Sequence, residues 1–438
     1  MRQVLSRFVM SVVLVTLGVS TPGCHDHQEA TPAGDDQQAK ARSTTPRIRL
    51  PVPTEAPVVR VRLRRIVGDL EPVEFAHSGQ SVTIRDANGN QIDRTGPLTV
   101  RRDGDGWLIR ASDGSTMPRS MQNAPWVSLE ASGDAALEMK DDSDETRRYV
   151  GAIRCVHVPE TREVTWEAIE HVPIEDYLPG VLAGELYGHW GRQCQAAQAI
   201  AARSFVSMEC HMRASRRWDV IDTAGSQAYL GAVDDPVGHA ATEMTRGMVL
   251  TWGAELVPGY FSSCCGGRAS TATEAIGPNP INAIKPLDGH TGDGYCQSAP
   301  LYQWTRKCDG RALGSAIRAA APRDSDLSSL GTITRIDITG RNQHGRGVTL
   351  QLTDASGRKA TIGAERLLQQ ARDLPGGPLY SGWVEGRTRN GQLELTGHGY
   401  GHGAGLCQYG AAAMDKAGKS FWQMIEYFYP GAEVKKAW

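Results

Sequence analysis

What this chain lacks narrows it first. Its basic and acidic groups nearly cancel across 438 residues, 47 Lys and Arg against 49 Asp and Glu, for a net charge of −2. Nucleic-acid binders usually carry a basic excess, so that class is set aside and no nucleic-acid partner is expected. Phenylalanine is scarce at 6 residues while glycine reaches 49, a balance that favours frequent turns and close backbone approaches. The apolar run at residues 8–19 is too short for a comfortable membrane span. What remains is 40% hydrophobic and 22% charged, the composition of a folded body with room for two or three domains.

Residues 1–24 read as an export signal, with Arg2 and Arg7 ahead of the apolar run. Ser20-Thr21-Pro22-Gly23-Cys24 resembles a bacterial lipoprotein cleavage site; Gly23 fits, and Thr21 stands where Leu is usual. A lipidated Cys24 tethering the chain to a membrane and plain secretion are the two readings. Residues 25–57 are polar, without hydrophobic period, and read as a flexible tether in which His25 and His27 are solvated. From 58 to 160 the chain reads as a β-rich segment: Val59-Arg60-Val61-Arg62-Leu63 alternates apolar and basic, and short strands recur between turn signals. Asp103-Gly104-Asp105-Gly106 lacks the later ligands of a calcium loop and reads as a hairpin turn.

The informative stretch is 172–208. Residues 174–185 can form a helix if Pro179 is tolerated, and Leu178, Val181, Leu182 and Glu185 then share one face. A carboxyl on an apolar face should hold its proton near neutral pH and be able to donate it. A structural glutamate paired with an arginine is the competing reading. Residues 195–211 form a clearer helix of small and apolar residues that contains Arg203, a candidate for binding substrate or for a plain ion pair.

Further blocks follow. They are Ser226-Gln227-Ala228-Tyr229-Leu230-Gly231, then Tyr260-Phe261-Ser262-Ser263 with Gly266-Gly267-Arg268, then the glycine-rich run 397–411 ending in Gln408-Tyr409-Gly410-Ala411. With 172–204 these make four blocks, in order, that resemble the SpoIID/LytB family of bacterial cell-wall proteins. The resemblance runs from about residue 58 to 438. It implies an α+β fold: a β-rich N-terminal part, then a mixed α/β SpoIID-like catalytic core over 161–438 with a β-rich insertion near 328–374. It also implies an exported envelope protein, in the periplasm or at the cell surface, acting on peptidoglycan glycan strands as a lytic transglycosylase. Glu185 falls on the family's catalytic glutamate. It would protonate the glycosidic oxygen, then take the muramic acid C6 hydroxyl proton as a 1,6-anhydro ring closes, so no second carboxylate is required, unlike ordinary hydrolysis. Arg203, Gln227, Tyr229, His402, Gln408 and Tyr409 become substrate-binding candidates. The family also includes amidase enhancers, so a cell-wall amidase is an alternative partner and a non-catalytic wall-binding protein the alternative function. The usual Glu-Met-Pro is replaced by Glu185-Leu186-Tyr187, and Cys264-Cys265 stands in place of a Ser/Thr pair.

No cofactor is required by this chemistry. Of the 9 cysteines, Cys264 and Cys265 are adjacent and cannot easily pair with each other. Disulfides to Cys296 or Cys308 suit an exported protein. Free thiols, or a zinc site of Cys264 or Cys265 with Cys296 and His290, are the alternatives. His398 and His402 are four apart, but the glycines around them exclude a helical two-histidine metal motif. That run suits a backbone laid against a ligand or another strand, and is read as the cleft wall opposite Glu185.

Overall fold

The computed structural model describes residues 49–438 except 69–72, 77–78, 105, 134, 141–144, 159–165, 291–293, 372–373 and 375–378. The expected export segment, Cys24 and residues 25–48 of the tether lie outside the described residues. Among those described, no helix is long and apolar enough to cross a membrane.

Alternation builds the first layer. Val59, Val61 and Leu63 point inward and are buried, while Arg60 and Arg62 keep partial exposure and pair with Asp219 and Glu167. This strand, Val58–Gly68, sits in a seven-stranded sheet. The order is Val220–Ile221, Val58–Gly68, Trp166–Pro173, Ala152–His157, Trp126–Ala131, Ser81–Asp86, Gln91–Thr95. All neighbours are antiparallel except the short Val220–Ile221 edge. A five-stranded sheet joins it, and Trp107 meets Trp166 edge-on at 5.8 Å between the two. Within it Asp103 faces Gly106, the pairing of a hairpin turn.

The expected division at residue 160 does not separate two bodies. Trp166–Pro173 pairs with both Ala152–His157 and Val58–Gly68, and its last residue leads directly into the helix Ile174–Glu185. One hydrophobic core accordingly runs from Val59 through Leu178, Ile200 and Phe205 to Phe428. The helix Arg192–Met212 lies inside that core, buried on almost every side. Its alanines allow this: a Cβ on Gly259 would stand 2.0 Å from the Ala201 carbonyl oxygen, so the neighbouring chain lies directly on the helix.

The β-rich insertion is larger than the expected 328–374. Its six-stranded sheet begins at Gln303–Cys308 and closes with Gln392–His398, the strand paired beside it. Leu313, Ile336, Leu350 and Leu367 form a second, separate core there. The chain then returns through the glycine-rich run to the helices Gln408–Lys416 and Phe421–Phe428. Ser420 and Gln423 close a capping box at the start of the latter, and Phe421, Ile425 and Phe428 are its buried face.

Candidate active site

Glu185 is the last residue of its helix, and it is buried. Pro179 lies inside this helix rather than in its first turn, so one backbone hydrogen bond is forgone. The helix also carries a glycine ridge. A Cβ on Gly180 would meet the Gly231 carbonyl oxygen at 2.2 Å, and one on Gly184 the Ala228 carbonyl oxygen at 2.4 Å. These two positions share a helix face, so residues 228–231 lie flat against it. The Leu230 N–H donates to the Gly180 carbonyl at 3.2 Å.

That contact delivers the first partner of the acid. The Ala228 N–H donates to Glu185 Oε1 at 2.7 Å, and Gln408 Nε2 donates to Oε2 at 3.3 Å. Both bonds favour the charged carboxylate, but burial outweighs them and pushes the Glu185 pKa up to about 7. At neutral pH the group therefore populates both protonation states, as a residue that must give and then take a proton requires.

Aromatic rings gather beside it. Tyr187 lies 5.2 Å from Trp190, and Trp190 lies 5.0 Å from Tyr409. The Tyr409 hydroxyl donates to that of Tyr187 at 3.3 Å. Tyr400 is near enough to Glu185 to feel its charge, and burial first, then Tyr380 and Glu185, push its phenol up to about 12. Ring faces of this kind match the apolar faces of sugar rings. The family-typical Met-Pro is thus replaced by a turn that brings aromatic residues, not by a gap.

The other candidates are placed differently. Arg203 is fully buried and spent on Glu175, with Nη2 at 2.7 Å from Oε2, plus the carbonyls of Thr242 and Met248 and the Thr245 hydroxyl. Glu175 stands ten residues before Glu185 on one helix, about 15 Å along the axis, so Arg203 neither ties down Glu185 nor reaches substrate there. Gln227 is fully buried, accepting from the Tyr177 hydroxyl at 3.1 Å and donating to the Ala202 carbonyl at 3.3 Å. Tyr229 packs its ring 4.8 Å from Tyr177. Both are interior packing residues of the loop that carries Ala228, not sugar contacts.

His402 is also interior. Its Nδ1 accepts the Ala404 N–H at 3.1 Å, which leaves the proton on Nε2, and burial lowers its pKa to about 4. It holds a turn and touches neither Glu185 nor open solvent. The glycine run is laid against another strand: Phe261–Ser262 pairs in parallel with Leu406–Cys407, and a Cβ on Gly405 would stand 2.0 Å from the Tyr260 carbonyl oxygen. Of the later block, Gln408 and Tyr409 reach the acid and its aromatic neighbours.

Sequence reasoning missed Ala228, whose contribution is a backbone N–H, and Tyr187, Trp190 and Tyr400. The glycines at 180 and 184, four apart on the acid helix, were the available signal for a close-lying loop.

The thiols form one group. The sulfurs of Cys264, Cys296 and Cys407 lie within 4.8 Å of one another, and Cys265 Sγ is 3.6 Å from Cys296 Sγ. Cys308 stands elsewhere, its sulfur on the Asp309 carbonyl, and His290 packs its ring on Tyr427 and Phe428. Neither belongs to the cluster, and Cys407, from the glycine-rich block, replaces them.

The chain is similar in sequence to known proteins. Residues 162–252 match the SpoIID family model, described as Stage II sporulation protein. Residues 285–405 match a model described only as a domain of unknown function. An uncharacterized protein of Brachyspira hyodysenteriae is 25% identical over 289 residues, 65% of this chain and 72% of its own. The amidase enhancer of Bacillus subtilis is 25% identical over 295 residues, 59% of this chain and 40% of its own. Stage II sporulation protein D of Bacillus amyloliquefaciens is 23% identical over 282 residues, 62% of this chain and 76% of its own.

Proposed function

We propose, for a chain whose residues 162–252 make it a member of the SpoIID family, that it is a peptidoglycan lytic transglycosylase with Glu185 as acid and then base. The observation that carries this reading is a buried carboxyl with no cationic partner among the described residues, held by the Ala228 N–H and the Gln408 amide, its pKa pushed by burial up to about 7. A glycan strand would lie across Tyr187, Trp190 and Tyr409. Protonated Glu185 gives its proton to the glycosidic oxygen as that bond breaks. The resulting carboxylate takes the proton of the muramic acid C6 hydroxyl as its oxygen bonds to the anomeric carbon. The two hydrogen bonds stabilise the carboxylate between these steps. An export signal and a tether through Cys24 would put the enzyme where this polymer lies.

Digestion of purified glycan strands tests the reading, with 1,6-anhydro-muramic ends as the expected product and none from Glu185→Gln. A second reading rests on the relative named amidase enhancer: a wall-binding protein that accelerates a separate amidase. Glycan binding without cleavage, together with a faster partner amidase and no effect of Glu185→Gln, would select that reading instead.

A further inference from the structure

We propose that Cys264, Cys265, Cys296 and Cys407 form a four-thiolate site for a tetrahedral metal ion, Zn²⁺, that fastens the glycine-rich block beside the acid. Three separate stretches converge on it: the end of the Phe261–Ser262 region, the short turn Tyr295–Ser298, and Cys407 directly before the helix Gln408–Lys416. All four residues are buried. Sulfurs bound to one zinc at about 2.3 Å stand about 3.8 Å apart in a tetrahedron. The Cys265–Cys296 separation of 3.6 Å is close to that, and Cys296 also lies with Cys264 and Cys407 in a trio whose sulfurs are within 4.8 Å of one another.

The surroundings suit thiolates. The Cys265 N–H points at Cys407 Sγ at 3.3 Å, and the Gly266 N–H at Cys264 Sγ at 3.4 Å. Outer-shell donors of this kind orient metal-bound sulfur. The second bond needs the chain to turn back on itself, which Gly266 and Gly267 do at φ of 69° and 85°. A zinc with four thiolates carries two negative charges, and a buried cation stands by. Arg346 is buried and donates to the carbonyls of Cys265, Arg268 and Gly401, at 2.9, 3.3 and 3.3 Å, with Glu365 also within reach of its charge. Disulfides account for the arrangement less well. Cys296 Sγ stands 3.6 Å from Cys265 Sγ and within 4.8 Å of both Cys264 and Cys407, so three thiols rather than one surround it. Binding forms a bond from each of the four sulfurs to the metal and releases their protons to solvent.

Because Cys407 precedes Gln408, the ion would hold in place the amide that bonds Glu185. The test uses the purified full chain, with zinc measured by elemental analysis and thiols by non-reducing peptide mapping. The expected result is about one zinc per chain and no disulfide among these cysteines. Replacing zinc with Co²⁺ should give the intense sulfur-to-cobalt absorption of a tetrahedral thiolate centre, weakened in Cys265→Ser and in Cys296→Ser. The wild-type measurements decide the matter even if a variant fails to fold. Disulfides linking these cysteines, or four free thiols that bind neither Zn²⁺ nor Co²⁺, would overturn the site. Metal content is read independently of glycan cleavage, so this inference and the proposed activity fail separately.

Discussion

Two buried charges sit at opposite ends of one helix, and the protein treats them in opposite ways. At the N-terminal end Glu175 meets Arg203, the Gly247 N–H and the Trp438 indole N–H. Each partner satisfies another, and the pair is sealed. At the C-terminal end Glu185 has hydrogen-bond donors but, among the described residues, no cation, and burial drives its pKa to about 7. A buried charge that is fully matched organises a fold. A buried carboxyl that is only partly matched stays near its titration point, and that is a chemical resource.

The largest test breaks the C-terminal end. Glu185→Gln keeps the shape of the side chain but offers one acceptor oxygen where the Ala228 N–H and the Gln408 amide each need one, and it cannot give up and retake a proton, so glycan cleavage should fall by about 10²- to 10⁴-fold. Release of 1,6-anhydro ends measures it. The same kind of change at the other end should act on folding instead. Glu175→Gln leaves Arg203 charged, buried and unmatched, which costs about 3–5 kcal/mol, read from denaturant unfolding.

Stability then separates the two ends by pH. Glu185 titrates near 7 when folded against an ordinary 4.5. The folded state therefore binds the proton more tightly, and stability falls as pH rises from about 4.5 through about 7. Glu185→Gln removes that loss. Between pH 4 and pH 8 the parent should lose up to about 3 kcal/mol that the inactive variant does not lose, measured as unfolding free energy at both values. A variant whose stability falls between those values as much as the parent's would contradict the raised pKa of the acid. The smallest effect comes from Gln408→Ala. Losing one donor to a charged group should cost about tenfold in rate, and the alkaline limb of the pH–rate profile should move upward, since a remaining support of the carboxylate is gone.

Much of this was legible from residue order alone, for specific reasons. Alternation in Val59-Arg60-Val61-Arg62-Leu63 specified a half-buried strand, because a period of two has few other uses. The placement of Glu185 with Leu178, Val181 and Leu182 specified an inward acid, because helix geometry decides which residues share a face. Roles were less legible where long-range packing decides them. Arg203, Gln227 and Tyr229 have the chemistry of sugar ligands, yet each is enclosed by neighbours distant in sequence. The cysteines are similar: the sequence offered Cys296, Cys308 and His290 as partners of Cys264 and Cys265, and the fold keeps Cys296 and adds Cys407.

Local order by itself determined the helix, the face that Glu185 occupies and the burial of its carboxyl. These follow from short-range periodicity and from the cost of exposing apolar surface. Tertiary structure alone decided what that carboxyl meets. The Ala228 N–H arrives through the Gly180 and Gly184 ridge, and the Gln408 amide from 223 residues away in sequence. A pKa is the balance of burial against such donors, and donors that far along the chain are brought together only by the packing of the core.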